Sequence, residues 1–258
     1  MPCVRSVTWE CDLPRRLSRR QKPTALERAA ANTADQHARP RPGQDGGVTD
    51  SGAESVLVHL ADEGKVGQGV VFLDRDGVII QNRPDYVKSW EEVRFIDGAM
   101  EALRRLSEAN FTLVVISNQS AVGRGIITLE RALEISRRVV AEVQVNGALI
   151  SASYLCPHRP DHGCDCRKPS PGMMVRAARD LGLDLGNSFL VGDNITDLKA
   201  AGAIGARAIL VRTGLGTEYA SLLSSQGMVG CWVVEDLSAA ASFILDHAQH
   251  VPPERTEA

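Results

Sequence analysis

The sequence predicts an α/β fold of the Rossmann-like, doubly layered kind, a mostly parallel sheet flanked by helices, and three observations predict it. Short β-branched apolar runs alternate with amphipathic stretches from Gly69 onward, the pattern of parallel strands covered by helices. The runs are long enough for strands and too short for helices. Polar turns follow directly on the apolar runs, where open parallel sheets gather their reactive groups. With 258 residues, 43% hydrophobic and 24% charged, the chain can bury a sizeable core without disulfide staples.

Residues 1–67 read as a mostly disordered N-terminal tail. Arg, Pro, Ala, Asp and Gly dominate Met1 to Gly52 without a sustained apolar period, so little apolar surface is available to offset ordering entropy. The cluster Arg15, Arg16, Arg19, Arg20 and Lys22 is diluted by Glu10, Asp12, Glu27 and Asp35 and reads as solvated charge. The domain is expected over residues 68–250, and 251–258 read as a C-terminal tail.

Within the domain, Val70–Leu73 is the first expected strand, and the spacing of Met100, Leu103 and Leu106 predicts a helix over Gly98–Asn110. Phe111–Ile116 is the next strand. Thr128 supplies a cap for a helix reaching about Val145, and Ala148–Leu155 reads as a third strand. Pro171–Leu181 is helical, Ser188–Val191 a strand, Asp197–Ala203 a short helix and Ala206–Val211 a strand. Cys231–Val234 and Ser238–His247 supply the last strand and helix.

Four strand ends carry chemistry. Asp74-Arg75-Asp76-Gly77 sets two carboxylates at i and i+2, close enough to share a divalent cation or to divide nucleophile and acid/base roles. Ser117-Asn118-Gln119-Ser120 offers donors to an oxyanion, Arg167-Lys168-Pro169 offers fixed cations, and Gly192-Asp193-Asn194-Ile195-Thr196-Asp197 brings further carboxylates. Any one of these also suits a turn or a cap; their order along the chain is the stronger signal.

A second cluster is metal-like in its own right. Cys156-Pro157-His158 and Cys164-Asp165-Cys166 place four soft ligands on one short loop, a set that can close tetrahedrally around a structural Zn²⁺ with no open position. Unligated thiols are the alternative; a disulfide between Cys164 and Cys166 would be strained. His162 is a possible substitute ligand. Cys231 beside Trp232 reads as a small buried hydrophobe.

The ordered set Asp74-Arg75-Asp76-Gly77-Val78, Ser117, Lys168 and Gly192 to Asp197 resembles the four motifs of the haloacid dehalogenase (HAD) phosphatase superfamily. The flanks Asp85-Tyr86-Val87, Phe95-Ile96-Asp97-Gly98, Arg124-Gly125, Cys156-Pro157-His158 and Cys166-Arg167-Lys168-Pro169 narrow it. They are similar to the D-glycero-D-manno-heptose 1,7-bisphosphate 7-phosphatase and histidinol-phosphate phosphatase families. The resemblance covers about Val70 to Gly216 and implies a capless, Mg²⁺-dependent phosphomonoester hydrolase. It implies Asp74 as the nucleophile that forms an aspartyl-phosphate and Asp76 as general acid and base. Mg²⁺ would be held by the Asp74 carboxylate, the Asp76 carbonyl and the Asp193 carboxylate. Ser117 and Lys168, with Asn118 beside them, would bind the phosphoryl oxygens; Arg167 would contact the substrate's polar or second-phosphate end, and Arg124 would sit on the rim. Asp197 either ligates the metal or orients Lys168 or a metal-bound water. Asn194, Ser117 and Ala121-Val122-Gly123 depart from the commonest heptose-enzyme pattern, which bears on substrate and leaves the hydrolytic set intact.

Composition and charge narrow the partner classes. A net charge of -3 and 4% aromatic residues argue against a nucleic-acid platform, including a nucleic-acid 3'-phosphatase. No stretch approaches the ~18 apolar residues of a membrane span. The expectation is a cytoplasmic monomer acting on a small phosphorylated metabolite, a sugar phosphate. A non-catalytic phospholigand-binding protein would be expected to lack Asp74, Asp76 or Asp193, and all three are present.

Overall fold

The computed structural model describes residues 55–61, 67–223 and 231–248. The expected C-terminal tail and most of the expected N-terminal tail lie outside them. The elements are β1 (Val56–Leu60), β2 (Gly69–Leu73), a 3-10 turn at Trp90–Glu92, α1 (Ala99–Glu108), β3 (Phe111–Asn118), α2 (Ser120–Gly123), α3 (Leu129–Val145) and β4 (Ile150–Cys156). They continue with α4 (Gly172–Leu181), β5 (Ser188–Gly192), α5 (Ile195–Ile204), β6 (Arg207–Val211), α6 (Gly216–Leu223), β7 (Cys231–Val234) and α7 (Leu237–Ala248).

The sheet order is β1-β4-β3-β2-β5-β6-β7, parallel throughout except for β1, which runs antiparallel to β4. Strand alternation builds the layers. Val71, Leu73, Leu113, Val115 and Val191 face one side, packed with α1, α3 and α7; Val70, Phe72, Val114, Ile116 and Leu190 face the other, packed with α4 and α5. Helix starts follow local chemistry: Thr128 accepts from the Arg131 N–H at 3.2 Å, and Asn194 caps α5 in a capping box with Asp197.

One expectation needs correction. Val56–Leu60, assigned to the tail by the sequence reading, is a strand, with Val56 opposite Leu155 and Leu60 opposite Ala152. Its backbone closes the edge of β4, and Val58 packs on Leu155 and Ala132, so the domain includes these residues. The helices α2 and α6 also lie where no helix is read from the sequence. Among the described residues no helix is long and apolar enough to cross a membrane.

Strand β2 lies between β3 and β5, with Leu73 level with both Val115 and Val191. The chain crosses from β4 back to β5 on the other side of β2, a topological switch that opens a crevice at the carboxyl ends of these strands.

Candidate active site

The carboxyl ends of β2, β3 and β5 deliver Asp74, Ser117 and Asp193 to one place. The Asp74 N–H donates to the Val191 carbonyl at 2.9 Å, which ties the start of the β2 turn to β5. Ligand oxygens of Asp74, Asp193 and Asp197 lie within 4.8 Å of one another. The Lys168 ammonium sits 3.0 Å from Asp74 and 2.7 Å from Asp197, and it donates to the Ile116 carbonyl at 3.0 Å. Lys168 and Asp197 are fully buried.

Asp193 owes its position to missing side chains. A Cβ on Gly77 or on Gly214 would stand 2.1 Å from Asp193 Oδ2, and both glycines have positive φ, +84° and +59°, which glycine adopts at no steric cost. The Leu215 N–H donates to the same oxygen at 2.8 Å, and Thr213 ties that loop to the Gly77 carbonyl at 2.6 Å.

Charge is unbalanced here. Burial pushes Asp74 up to about 7, Lys168 pulls against it, and Asp197 and Asp76 push it further. Burial likewise pushes Asp193 up to about 8, with the Asp74 charge adding. For Lys168 burial works downward, but Asp197 and Asp74 overcome it and hold the ammonium above its ordinary range. Three carboxylates thus face one ammonium, a deficit of two positive charges that a divalent cation with oxygen ligands fits.

Asp76 does not join that cluster. Its carboxylate takes a fork from the Arg75 guanidinium, 3.1 Å from Nε and 3.0 Å from Nη2, and a 2.8 Å bond from Gln119 Nε2. Gln119 also donates to Ser117 Oγ at 2.7 Å, and that hydroxyl lies 3.4 Å from Asp76. Asn118 turns both amide atoms onto the Lys168 backbone, each at 3.1 Å, so it fastens the loop that carries the lysine. Asp197 is committed twice, to Lys168 and to the Asn194 N–H at 3.1 Å.

The cationic rim is partly assembled. Arg167 is half-buried and donates to the His158 carbonyl at 3.2 Å. Arg124 is exposed just after α2. It adds weakly to the lowering of Asp161, whose carboxyl is held down first by the Arg159 fork. The sequence points to no separate role for Arg75 or Arg159, and it offers Gln119 only as one of the donors to an oxyanion, not as a partner of Asp76. Arg75 lies inside the first acidic motif, but its partner could not be read there.

Cys156, His158, Cys164 and Cys166 converge within 4.8 Å. The sulfurs stand 3.3, 3.5 and 3.7 Å apart, far beyond a disulfide bond and near the ~3.8 Å edge of a tetrahedron with Zn–S of about 2.3 Å. His158 Nδ1 faces Cys166 at 3.2 Å and Cys156 at 3.4 Å. Hydrogen bonding from Cys166 first, then from His158 and Cys164, brings the Cys156 thiol down to about 5 against burial, while the same contact pushes Cys166 up. Thiols this crowded cannot all ionise without a cation, and a tetrahedral one fits. His162 is exposed and stacks on His158, with centroids 4.6 Å apart.

A parallel sheet that turns carboxylates, a hydroxyl and a lysine out of adjacent strand ends defines a HAD-like hydrolase, and the HAD-hydrolase-like family model matches residues 165–240. The D-glycero-beta-D-manno-heptose-1,7-bisphosphate 7-phosphatase of Pseudomonas aeruginosa is 38% identical over 180 residues, 70% of this chain and 99% of that protein. The enzyme of the same name from Bordetella bronchiseptica is 39% identical over 183 residues, 69% of this chain and 99% of that protein. A crystal structure of D,D-heptose 1,7-bisphosphate phosphatase from B. bronchiseptica, complexed with magnesium and phosphate, matches with TM-score 0.65 and 37% identity, covering 69% of this chain and 99% of that one. The chain belongs to this family, the heptose-bisphosphate phosphatases among the HAD-like hydrolases, and is a phosphoric monoester hydrolase.

Proposed function

We propose that the enzyme removes the 7-phosphate of D-glycero-D-manno-heptose 1,7-bisphosphate through an aspartyl-phosphate on Asp74. The observation that carries this is Asp74 itself, at a strand end, paired with Lys168 at 3.0 Å and converging with Asp193. Relatives of that named activity span almost their full length in this chain.

A phosphate monoester is anionic and repels a carboxylate, so attack needs positive charge arranged beforehand. Mg²⁺ fits the site's charge deficit; the Asp74 and Asp193 carboxylates and the Asp76 carbonyl would hold it, and it would neutralise charge on the transferring group. Lys168 and Ser117 bind phosphoryl oxygens. Asp74 Oδ attacks phosphorus, the bond from phosphorus to the C7 oxygen breaks with its electron pair on that oxygen, and Asp76 delivers the proton the leaving alkoxide takes. Water then attacks the aspartyl-phosphate, gives a proton to Asp76 and releases inorganic phosphate, which restores Asp74. Asp197, committed to Lys168 and Asn194, orients the lysine. Arg167 and Arg124 meet the distal phosphate, since a guanidinium offers a carboxylate- or phosphate-matched pair of donors. Asn118 acts through the Lys168 backbone.

Cys156, His158, Cys164 and Cys166 hold a structural zinc that stiffens the loop ahead of Arg167 and Lys168. Thiolate ligands suit a reducing cytoplasm, where the reaction belongs to carbohydrate metabolism, carried out by a monomer. A kinetic panel with Mg²⁺ tests the substrate: kcat/KM for the heptose bisphosphate should exceed that for the heptose 7-monophosphate and for histidinol phosphate by at least about tenfold. Equal turnover of histidinol phosphate, with no gain from the second phosphate, overturns the assignment.

A further inference from the structure

We propose that Arg75 is the positioning residue for Asp76, that it is anchored through Ser136 on α3, and that Gln119 closes the other side of the carboxylate. The inference rests on the reading of Asp76 as proton donor to the leaving group. Arg75 is among the largest fully buried side chains of the described residues, and a buried guanidinium persists only where its charge and its N–H groups are partnered. Its carbonyl accepts from the Ile79 and Ile80 N–H groups, but its own donors, apart from one arm, go to the site. Its backbone N–H donates to Asp74 Oδ1 at 2.7 Å, while its Nε and Nη2 take the two oxygens of Asp76 at 3.1 and 3.0 Å. A single residue therefore sets the orientation of both carboxylates, one through the main chain and one through the side chain. The remaining arm reaches Ser136 Oγ at 2.8 Å, on a helix distant in sequence, so the fork is held from behind.

Gln119 completes the grip, donating to Asp76 Oδ2 at 2.8 Å and to Ser117 at 2.7 Å. The hydrogen-bond partners of the Asp76 carboxylate, Arg75, Gln119 and Ser117, are thus all donors, which fixes the carboxylate plane and leaves its open side for substrate; the side chain is 23% exposed. Proton transfer is steep in distance and angle, so a carboxylic acid freed from such a fork loses rate through misplacement rather than through loss of the acid.

The consequence depends on the leaving group. A sugar alkoxide needs the proton of Asp76 as its bond to phosphorus breaks, whereas p-nitrophenolate leaves as a stable anion. The test compares kcat/KM, which ends at departure of the alcohol, for heptose bisphosphate and for p-nitrophenyl phosphate, using the full-length, zinc-replete enzyme with Mg²⁺. In Arg75→Met the ratio of alkyl to aryl kcat/KM should fall about 30-fold. Arg75→Lys should recover part of the ratio, since an ammonium keeps the charge but not the fork. Ser136→Ala should lower the ratio about threefold, and it keeps the proposal testable if Arg75→Met does not fold. Equal losses on both esters in the variants that fold, or full alkyl activity in Ser136→Ala and Arg75→Lys together, overturn the proposal. Asp76→Asn separates the two readings. If it lowers the ratio while the Arg75 variants do not, positioning by Arg75 is wrong and the acid stands; if it lowers both esters alike, the acid assignment falls and this inference with it.

Discussion

Lys168 is surrounded by more negative charge than it can neutralise, and two consequences follow at the scale of single residues. The first concerns Asp74. On the proposed mechanism Asp74→Asn removes the nucleophile and one buried carboxyl, so turnover should fall at least about a thousandfold while any metal held by the Cys/His cluster and the secondary structure stay as they are; retained turnover, measured by phosphate release, would refute the nucleophile assignment. The second concerns pH. Asp74 is raised to about 7 and Asp193 to about 8 from an ordinary 3.8, so between about pH 4 and those values the metal-free folded protein holds protons that the unfolded chain has released, and only above them does the full charge deficit develop. A raised carboxyl contributes full stability below pH ~4 and loses it as pH rises through the folded value. Protein freed of Mg²⁺ by desalting, with any metal at the Cys/His cluster retained, should lose a few kcal/mol, in order of magnitude, between about pH 4 and pH 8. Mg²⁺ should restore most of it at pH 8; thermal unfolding at the two pH values, with and without Mg²⁺, measures both effects, and a flat profile without Mg²⁺ would contradict the charge deficit. Asp74 and Asp193 were legible in the sequence because each follows an apolar run of strand length; Lys168, well past the end of β4, was legible only through its order among the motifs. The partners of Asp76 and Asn118 were not, because Arg75, Gln119 and the Lys168 backbone meet them through side-chain directions that spacing does not encode.

Elements differ in legibility according to how much periodic signal they carry. The central strands β2, β3 and β5 are buried on both faces and read as near-continuous apolar runs. α1 and α3 carry an apolar stripe. β1 has five residues at a sheet edge beside a polar tract, and α2 only four, too few for a period to show. The edge strand nevertheless contributes to the core: Val58 is 7% exposed and packs on Leu155 and Ala132. Val58→Asp buries an unpaired carboxylate against that contact and should cost about 2–4 kcal/mol. Because that contact is at the sheet edge and Leu155 is buried in β4 before Cys156, the loss should appear in denaturant unfolding with little change in KM. A large KM change would mean that β1 governs the substrate loops and not only the sheet edge.

At the scale of the whole molecule, fold class follows from alternation alone, but strand order does not, since nothing in the spacing says that β5 returns to pair with β2 rather than to extend beyond β4. That return brings the β5 carboxylates to Asp74 and leaves β4, on the far side of β3, to supply the cations through its own loop. The path from β4 to the site runs through the Cys/His cluster, then Arg167 and Lys168, and is fastened where Gly172 N–H meets the Asp165 carbonyl at 3.1 Å, where Arg167 meets His158 at 3.2 Å and where Asn118 holds the Lys168 backbone. On the zinc reading, the metal fixes the outer end of this path and Asn118 the inner end, so stability and rate should fail in that order. Graded removal of zinc with a chelator should first lower the unfolding temperature and raise amide exchange over residues 156–172, because metal binding energy is folding energy for a loop with little core of its own. Rate should then fall as Lys168 loses its fixed place beside Asp74, and zinc should restore both. A loss of rate with no rise in exchange across the loop would mean that the metal acts on the chemistry directly, and the structural role would have to be abandoned.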